Sequence, residues 1–167
     1  MIINNNTAVA FQAKTYYRPQ NYEEIPKQMN QNYFDEKDKT VVILGSSKAK
    51  ESIKNDIQAA FIIAKELVKR GYNVLTGGGD DGIMGAASRG ATEAIKEAEA
   101  TGKPHGDSLA IVNPQWKDAD FSLYKVIGQT KTEIDRSAMF EKVAKNVLAF
   151  PGGASSILEV SKIVSDK

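Results

Sequence analysis

Two hydroxyls and a carboxylate, Ser155, Ser156 and Glu159, follow directly on the turn Pro151-Gly152-Gly153. The apolar run Val147-Leu148-Ala149-Phe150 before that turn reads as a buried strand, and the residues after it as the restart of the chain in a helix. Glycines let backbone N–H groups approach a ligand closely, and a helix N-terminus carries about half a unit of positive charge. Together these are the ingredients of a phosphate seat, with Glu159 one turn in, placed to reach whatever the phosphate is attached to. The same residues support a plainer reading. Ser156-Ile157-Leu158-Glu159 is also an S-x-x-E capping box, in which the glutamate only closes the start of the helix.

Arg136 is the second residue with chemistry to offer. On a helix from about Thr132 to Lys145 it heads a stripe formed with Phe140, Val143 and Ala144, continued by Val147. A cation there either snorkels to solvent, pairs with a surface acid, or points into a crevice. Further upstream, Gly77-x-Gly79-x-x-Gly82 has the spacing of a dinucleotide fingerprint. It follows the second apparent strand rather than the first, and the next strand ends in Val112-Asn113-Pro114, where an acid for the ribose hydroxyls would be needed. The context of the motif, not its spacing, therefore argues against an NAD site. Taken singly, each glycine turn is only a tight connection. The three of them, at Gly45-Ser46, at Gly77 to Gly82 and at Gly152-Gly153, would together floor one crevice with backbone donors.

The elements that must position these residues are regular from Thr40 onward. Thr40 to Leu44 reads as a buried strand ending in Gly45-Ser46-Ser47. Ile53, Ile57, Ala60, Phe61, Ala64, Leu67 and Val68 recur at helical spacing, and Gly71 closes that helix. Tyr72 to Thr76 is a second strand, and a helix rich in small residues follows Gly82. Leu109 to Val112 and Tyr124 to Ile127 are further strands. Strands alternating with helices predict an α/β fold, a Rossmann-like doubly wound and mainly parallel sheet with helices on both faces. Ligands of such sheets bind at the carboxyl ends of the strands, where the glycine turns lie.

A chain of 167 residues forms one domain with a proper core. Residues 1–38, rich in Asn, Gln and Tyr, read as a polar extension, within which Thr7 to Tyr17 forms a strand or hairpin arm; 39–167 read as the Rossmann-like domain. Its 22 basic and 21 acidic residues leave a formal charge of +1, which gives no electrostatic case for a nucleic acid or an anionic membrane. Cysteine is absent, so thiol catalysis and cysteine-bound metal are excluded. The lone histidine, His105, sits in a polar loop and is read as solvated. Lys48 and Lys50, after the first strand, are read the same way. No basic start and apolar stretch marks a signal peptide, and a cytoplasmic location is expected. The chain ends in the helix after Pro151, where such sheets commonly continue for a strand or two, so it is either a minimal version or short at its C-terminus.

The ordered set Gly77-Gly78-Gly79-x-x-Gly82-Ile83-Met84-Gly85-Ala86, then Arg136 fifteen positions before Pro151, then Pro151-Gly152-Gly153 with Glu159, resembles the LOG (lonely guy) family, whose members were long mislabelled lysine decarboxylases. The resemblance runs from about Thr40 to the end. It implies a homodimer that hydrolyses the N-glycosidic bond of a nucleoside 5′-monophosphate, releasing the free base and ribose 5-phosphate, without metal or cofactor. On the matching positions, Arg136 and Glu159 are the expected catalytic residues. Gly45, Ser46, Gly78, Gly79, Gly82, Met84, Gly152, Gly153, Ser155 and Ser156 are the expected substrate- and phosphate-binding residues. The chain departs from the family pattern P-G-G-x-G-T-x-x-E, with Ser155 for the third glycine and Ser156 for the threonine, and it carries Ser137 where an Arg-Lys pair is usual. A Cβ at Ser155 is expected to cost ~1 kcal/mol if the backbone there takes positive φ. These departures keep two alternatives open: a non-catalytic holder of a nucleotide or phosphorylated cofactor, like the molybdenum-cofactor carriers, and an inactive, truncated paralogue.

Overall fold

The computed structural model describes residues 35–115 and 119–165. The arm predicted at Thr7 to Tyr17 lies outside them. Among the described residues, nine strands and α-helices follow one another: β1 (Thr40–Leu44), α1 (Lys54–Lys69), β2 (Asn73–Thr76), α2 (Gly82–Thr101), β3 (Ser108–Val112), β4 (Lys125–Gln129), α3 (Glu133–Val143), β5 (Asn146–Ala149) and α4 (Ala154–Ser165). All four strand pairings are parallel, in the order β4-β3-β2-β1-β5. The α/β fold expected from the alternation is therefore the fold found. No helix among the described residues is long and apolar enough to cross a membrane.

Side chains alternate across a strand, so β1 feeds two cores. Val41 and Ile43 meet Ala60, Ala64 and Val68 of α1 and the alanine-rich face of α2. Val42 and Leu44 meet Phe140 and Val143 of α3 and Ile163 of α4. Strands β1, β2 and β3 are buried at every position, as a central parallel sheet covered on both faces requires. β5 differs from the sequence reading: its residues are exposed or half-buried, because among the described strands it pairs only with β1 and forms an edge.

The order of the strands fixes where a ligand can sit. The chain winds from β1 through β4 in one direction, then returns to place β5 on the other side of β1. The crevice at that switch point opens outside the carboxyl ends of β1 and β5, at Gly45 and at Pro151-Gly152-Gly153. α3 leaves the carboxyl end of β4 and α4 that of β5, so the two helices start at the same edge of the sheet and run in the same sense.

Candidate active site

Ser46 joins the three glycine turns. Its backbone N–H donates to the Pro151 carbonyl at 3.1 Å, and its own carbonyl accepts from the Ile83 N–H at 2.9 Å. Three residues on, the Ala49 N–H donates to the Asp81 carboxylate at 3.0 Å, and that bond is the main reason the Asp81 carboxyl titrates below its ordinary range. Ser156 adds a side-chain link, its hydroxyl donating to the Gly45 carbonyl at 3.0 Å. The turns after β1, β2 and β5 are thus fastened into one wall.

Above that wall lies a cavity of about 400 Å³, lined by Gly45, Ser46, Met84, Gly153, Ser155 and Ser156, together with Arg136 and Glu159. This is within the size range of small-molecule sites. Of the residues predicted to bind, Gly78, Gly79, Gly82 and Gly152 do not line it. Gly78 is buried under Val112 and Tyr124, whose hydroxyl donates to the Gly78 carbonyl at 2.6 Å. Gly79 is buried as well. Gly82, at φ +57°, packs against the Ser46 carbonyl and the Lys48 backbone, where any Cβ would collide. These glycines shape the wall from beneath and leave the cavity surface to Met84. Gly152 is exposed, with the Ser156 side chain filling the space of its missing Cβ.

The cavity floor is an ion pair. The Arg136 Nε and Nη2 both donate to Glu159 Oε1, at 3.1 and 2.8 Å, and the two side chains are 2% and 5% exposed. Arg136 therefore neither snorkels nor pairs at the surface. Its guanidinium sits 5.9 Å from the centre of the Phe140 ring, one turn further along α3. Burial pushes the Glu159 carboxyl above its ordinary range, against the pull of the Arg136 charge and hydrogen bonds, and Glu133 adds a smaller upward push. The capping-box reading fails on the same geometry. α4 begins at Ala154, Ser156 bonds across to β1's turn, and Glu159 is held by α3.

The cost expected at Ser155 does not arise. No described non-glycine residue has positive φ, and Ser155 lies inside α4, where its Oγ donates to Glu133 Oε1 at 3.0 Å. Glu133, Ser47, Lys48 and Lys50 also line the cavity and were not among the predicted binders. Two signals were available. Glu133 stands three positions before Arg136, hence on the same helix face, and both lysines follow the turn at the carboxyl end of β1. His105 keeps away from the cavity, its Nδ1 lying 2.7 Å from the Gly106 carbonyl. Among the described residues, no group of three His, Cys, Asp or Glu side chains is placed to hold a metal ion.

Comparisons with known proteins agree with this architecture. The chain is 26% identical over 135 residues to the cytokinin riboside 5′-monophosphate phosphoribohydrolase LOG5 of Arabidopsis thaliana, which covers 74% of this chain and 50% of that protein. The corresponding protein LOG of Oryza sativa subsp. japonica is 25% identical over 135 residues, covering 74% of this chain and 47% of its own. The chain thus spans about half the length of the curated relatives it matches. Among solved structures, the molybdenum cofactor carrier protein of Chlamydomonas reinhardtii superposes with a TM-score of 0.60 at 18% identity, over 77% of this chain and 72% of that one. The molybdenum cofactor binding protein of Rippkaea orientalis does so with a TM-score of 0.54 at 23% identity, over 76% and 69%. At such identities the structural likeness speaks for the Rossmann-like fold. A family model described as the SLOG cluster4 family matches residues 38–165, most of the chain. With its buried arginine–glutamate pair at the switch point of a parallel sheet, the chain belongs to the SLOG cluster4 family, a LOG-like family.

Proposed function

We propose that the protein hydrolyses the N-glycosidic bond of a nucleoside 5′-monophosphate. The observation that carries this reading is the buried Arg136–Glu159 pair on the floor of the switch-point cavity, one helical turn below the N-terminus of α4. In the reaction the bond from C1′ to the base nitrogen breaks, and its electron pair leaves with the base. Positive charge develops on C1′ and the ring oxygen, water adds to C1′, and the proton that water loses ends on the departing base. A carboxylate beside the ribose stabilises that charge, takes the proton from the water and passes it on to the base. In this reading Glu159, which lines the cavity, is that carboxylate. Arg136 opposes the upward push of burial on that carboxyl and holds its orientation. The phosphate end belongs to the first turn of α4, with the backbone donors near Gly153 and the Ser155 hydroxyl, while Lys48 and Lys50 supply positive charge at the mouth.

The test is a product assay. Purified protein is incubated with AMP, GMP, CMP, UMP and isopentenyladenosine monophosphate, and free base and ribose 5-phosphate are separated by chromatography. Base release by the wild type, absent in Glu159→Gln, is the expected result. Nucleotide binding without release by the wild type would instead favour a holder of a phosphorylated ligand, the role named for the Chlamydomonas carrier.

A further inference from the structure

We propose that Glu133 is the resident anion of the α4 N-terminus, a specificity-determining residue whose carboxylate a ligand's phosphate must displace. The inference rests on the reading of this cavity as a site for a phosphate-bearing ligand, and is independent of turnover. The first N–H groups of a helix have no partners within it and favour negative charge. In this structure the negative charge beside the first turn of α4 is already supplied from within the chain. Glu133, the first residue of α3, points across to α4 and accepts the Ser155 hydroxyl at 3.0 Å. It lines the same cavity as Gly153, Ser155 and Ser156, the residues on which a phosphate would settle.

Glu133 and Arg136 are a turn apart on α3, and Ser155 and Glu159 a turn apart on α4, so two rungs connect the helices. The lower rung is the catalytic pair. The upper rung closes over it, and the charge of Glu133 is felt below, since it helps to raise the Glu159 carboxyl. A phosphomonoester arriving at α4 brings a charge of about −1.5 to −2 against this carboxylate. Glu133 then has to swing off Ser155, and the energy of that displacement is subtracted from phosphate affinity. A ligand without phosphate does not meet this penalty. The residue therefore sets how strongly the site distinguishes a nucleotide from its nucleoside.

Calorimetric titration of inorganic phosphate, AMP and adenosine into wild type and Glu133→Gln decides the matter. The glutamine keeps an oxygen for Ser155 and removes the charge. The expected result is phosphate and AMP binding about tenfold tighter in Glu133→Gln, with adenosine unchanged. A carbon-13 NMR titration should also show the Glu159 carboxyl titrating at lower pH in the variant. Equal phosphate affinity in the two proteins, weaker binding in the variant, or no phosphate binding by either would overturn the inference. Absence of base release would leave it standing, because the readout is binding. Base release with equal phosphate affinities would sink it and spare the proposed reaction.

Discussion

Replacing Arg136 by methionine is the most informative perturbation of the cavity floor. Methionine keeps an apolar stem in the space beside Phe140 and removes the charge and both hydrogen bonds to Glu159. Glu159 is then a carboxylate with a 5% exposed side chain and no counter-charge from α3. Breaking a buried pair by deleting one partner typically costs about 3–5 kcal/mol, a large share of the ~5–15 kcal/mol that stabilises a domain. The carboxyl can escape part of this by taking up a proton. Its pKa, already raised by burial in the wild type, must rise further once the cation is gone.

The pH dependence follows from the sign of that shift. A carboxyl whose folded pKa lies above its unfolded value contributes stability that is complete below the unfolded value and lost as pH rises through the folded one. The deficit of Arg136→Met relative to wild type should therefore be largest near pH ~8 and shrink toward pH ~5. Each unit of additional shift is worth about 1.36 kcal/mol, so recovering ~3 kcal/mol requires a further rise of about two units. Urea unfolding of wild type, Arg136→Met, Glu159→Leu and the double variant at the two pH values measures all of this. The double variant should regain most of the loss, since an apolar pair can replace a buried ion pair at little cost. A loss below ~1 kcal/mol in Arg136→Met, or a deficit that does not change with pH, would refute the account. A double variant as unstable as the single would assign the loss to packing instead of charge.

Two smaller perturbations probe the wall. A Cβ at Gly77 would stand 3.0 Å from Arg136 Nη1 and 3.1 Å from Met84 Sδ. Gly77→Ala should push the guanidinium by a few tenths of an ångström and lower the rate of base release by about tenfold, with stability changed by less than ~1 kcal/mol. An unaltered rate would show that turnover tolerates displacement of Arg136. Tyr124→Phe deletes a buried hydroxyl that donates to the Gly78 carbonyl, and should cost about 1–2 kcal/mol in urea unfolding and speed hydrogen exchange in the turn after β2. No change in either would mean that water replaces the hydroxyl.

Much of this molecule is legible from local patterns. The fully buried strands announce themselves as apolar runs, and Gly71, at φ +84°, closes α1 as its position suggests. What local patterns misjudge is whatever depends on strand order. Val147 to Phe150 is as apolar as a central strand, yet β5 is an edge, because nothing in four residues reveals which strands flank them. The turn from Gly77 to Gly82 carries a binding spacing but follows β2, away from the switch point, and so supports the cavity wall instead of most of its surface. Ser155 looked like a strained intruder in a glycine's place and proves to be an ordinary helical residue.

The two rungs between α3 and α4 show why the site itself exceeds what such patterns can give. Their partners are 22 and 23 residues apart, and no periodicity connects them. The connection comes from the crossover. β4 lies at one edge of the sheet and β5 at the other, so the segment joining them must traverse the face and end beside β1. α3 is that segment. Because it starts at the carboxyl edge, as α4 does, the first turns of both helices arrive together at the switch point. Glu133 and Arg136 then meet Ser155 and Glu159 turn for turn. An acid three positions before a suspected site arginine, in the first turn of a crossover helix, is consequently placed to line the cavity once the strand order is known. Before that it is only another charge on a helix.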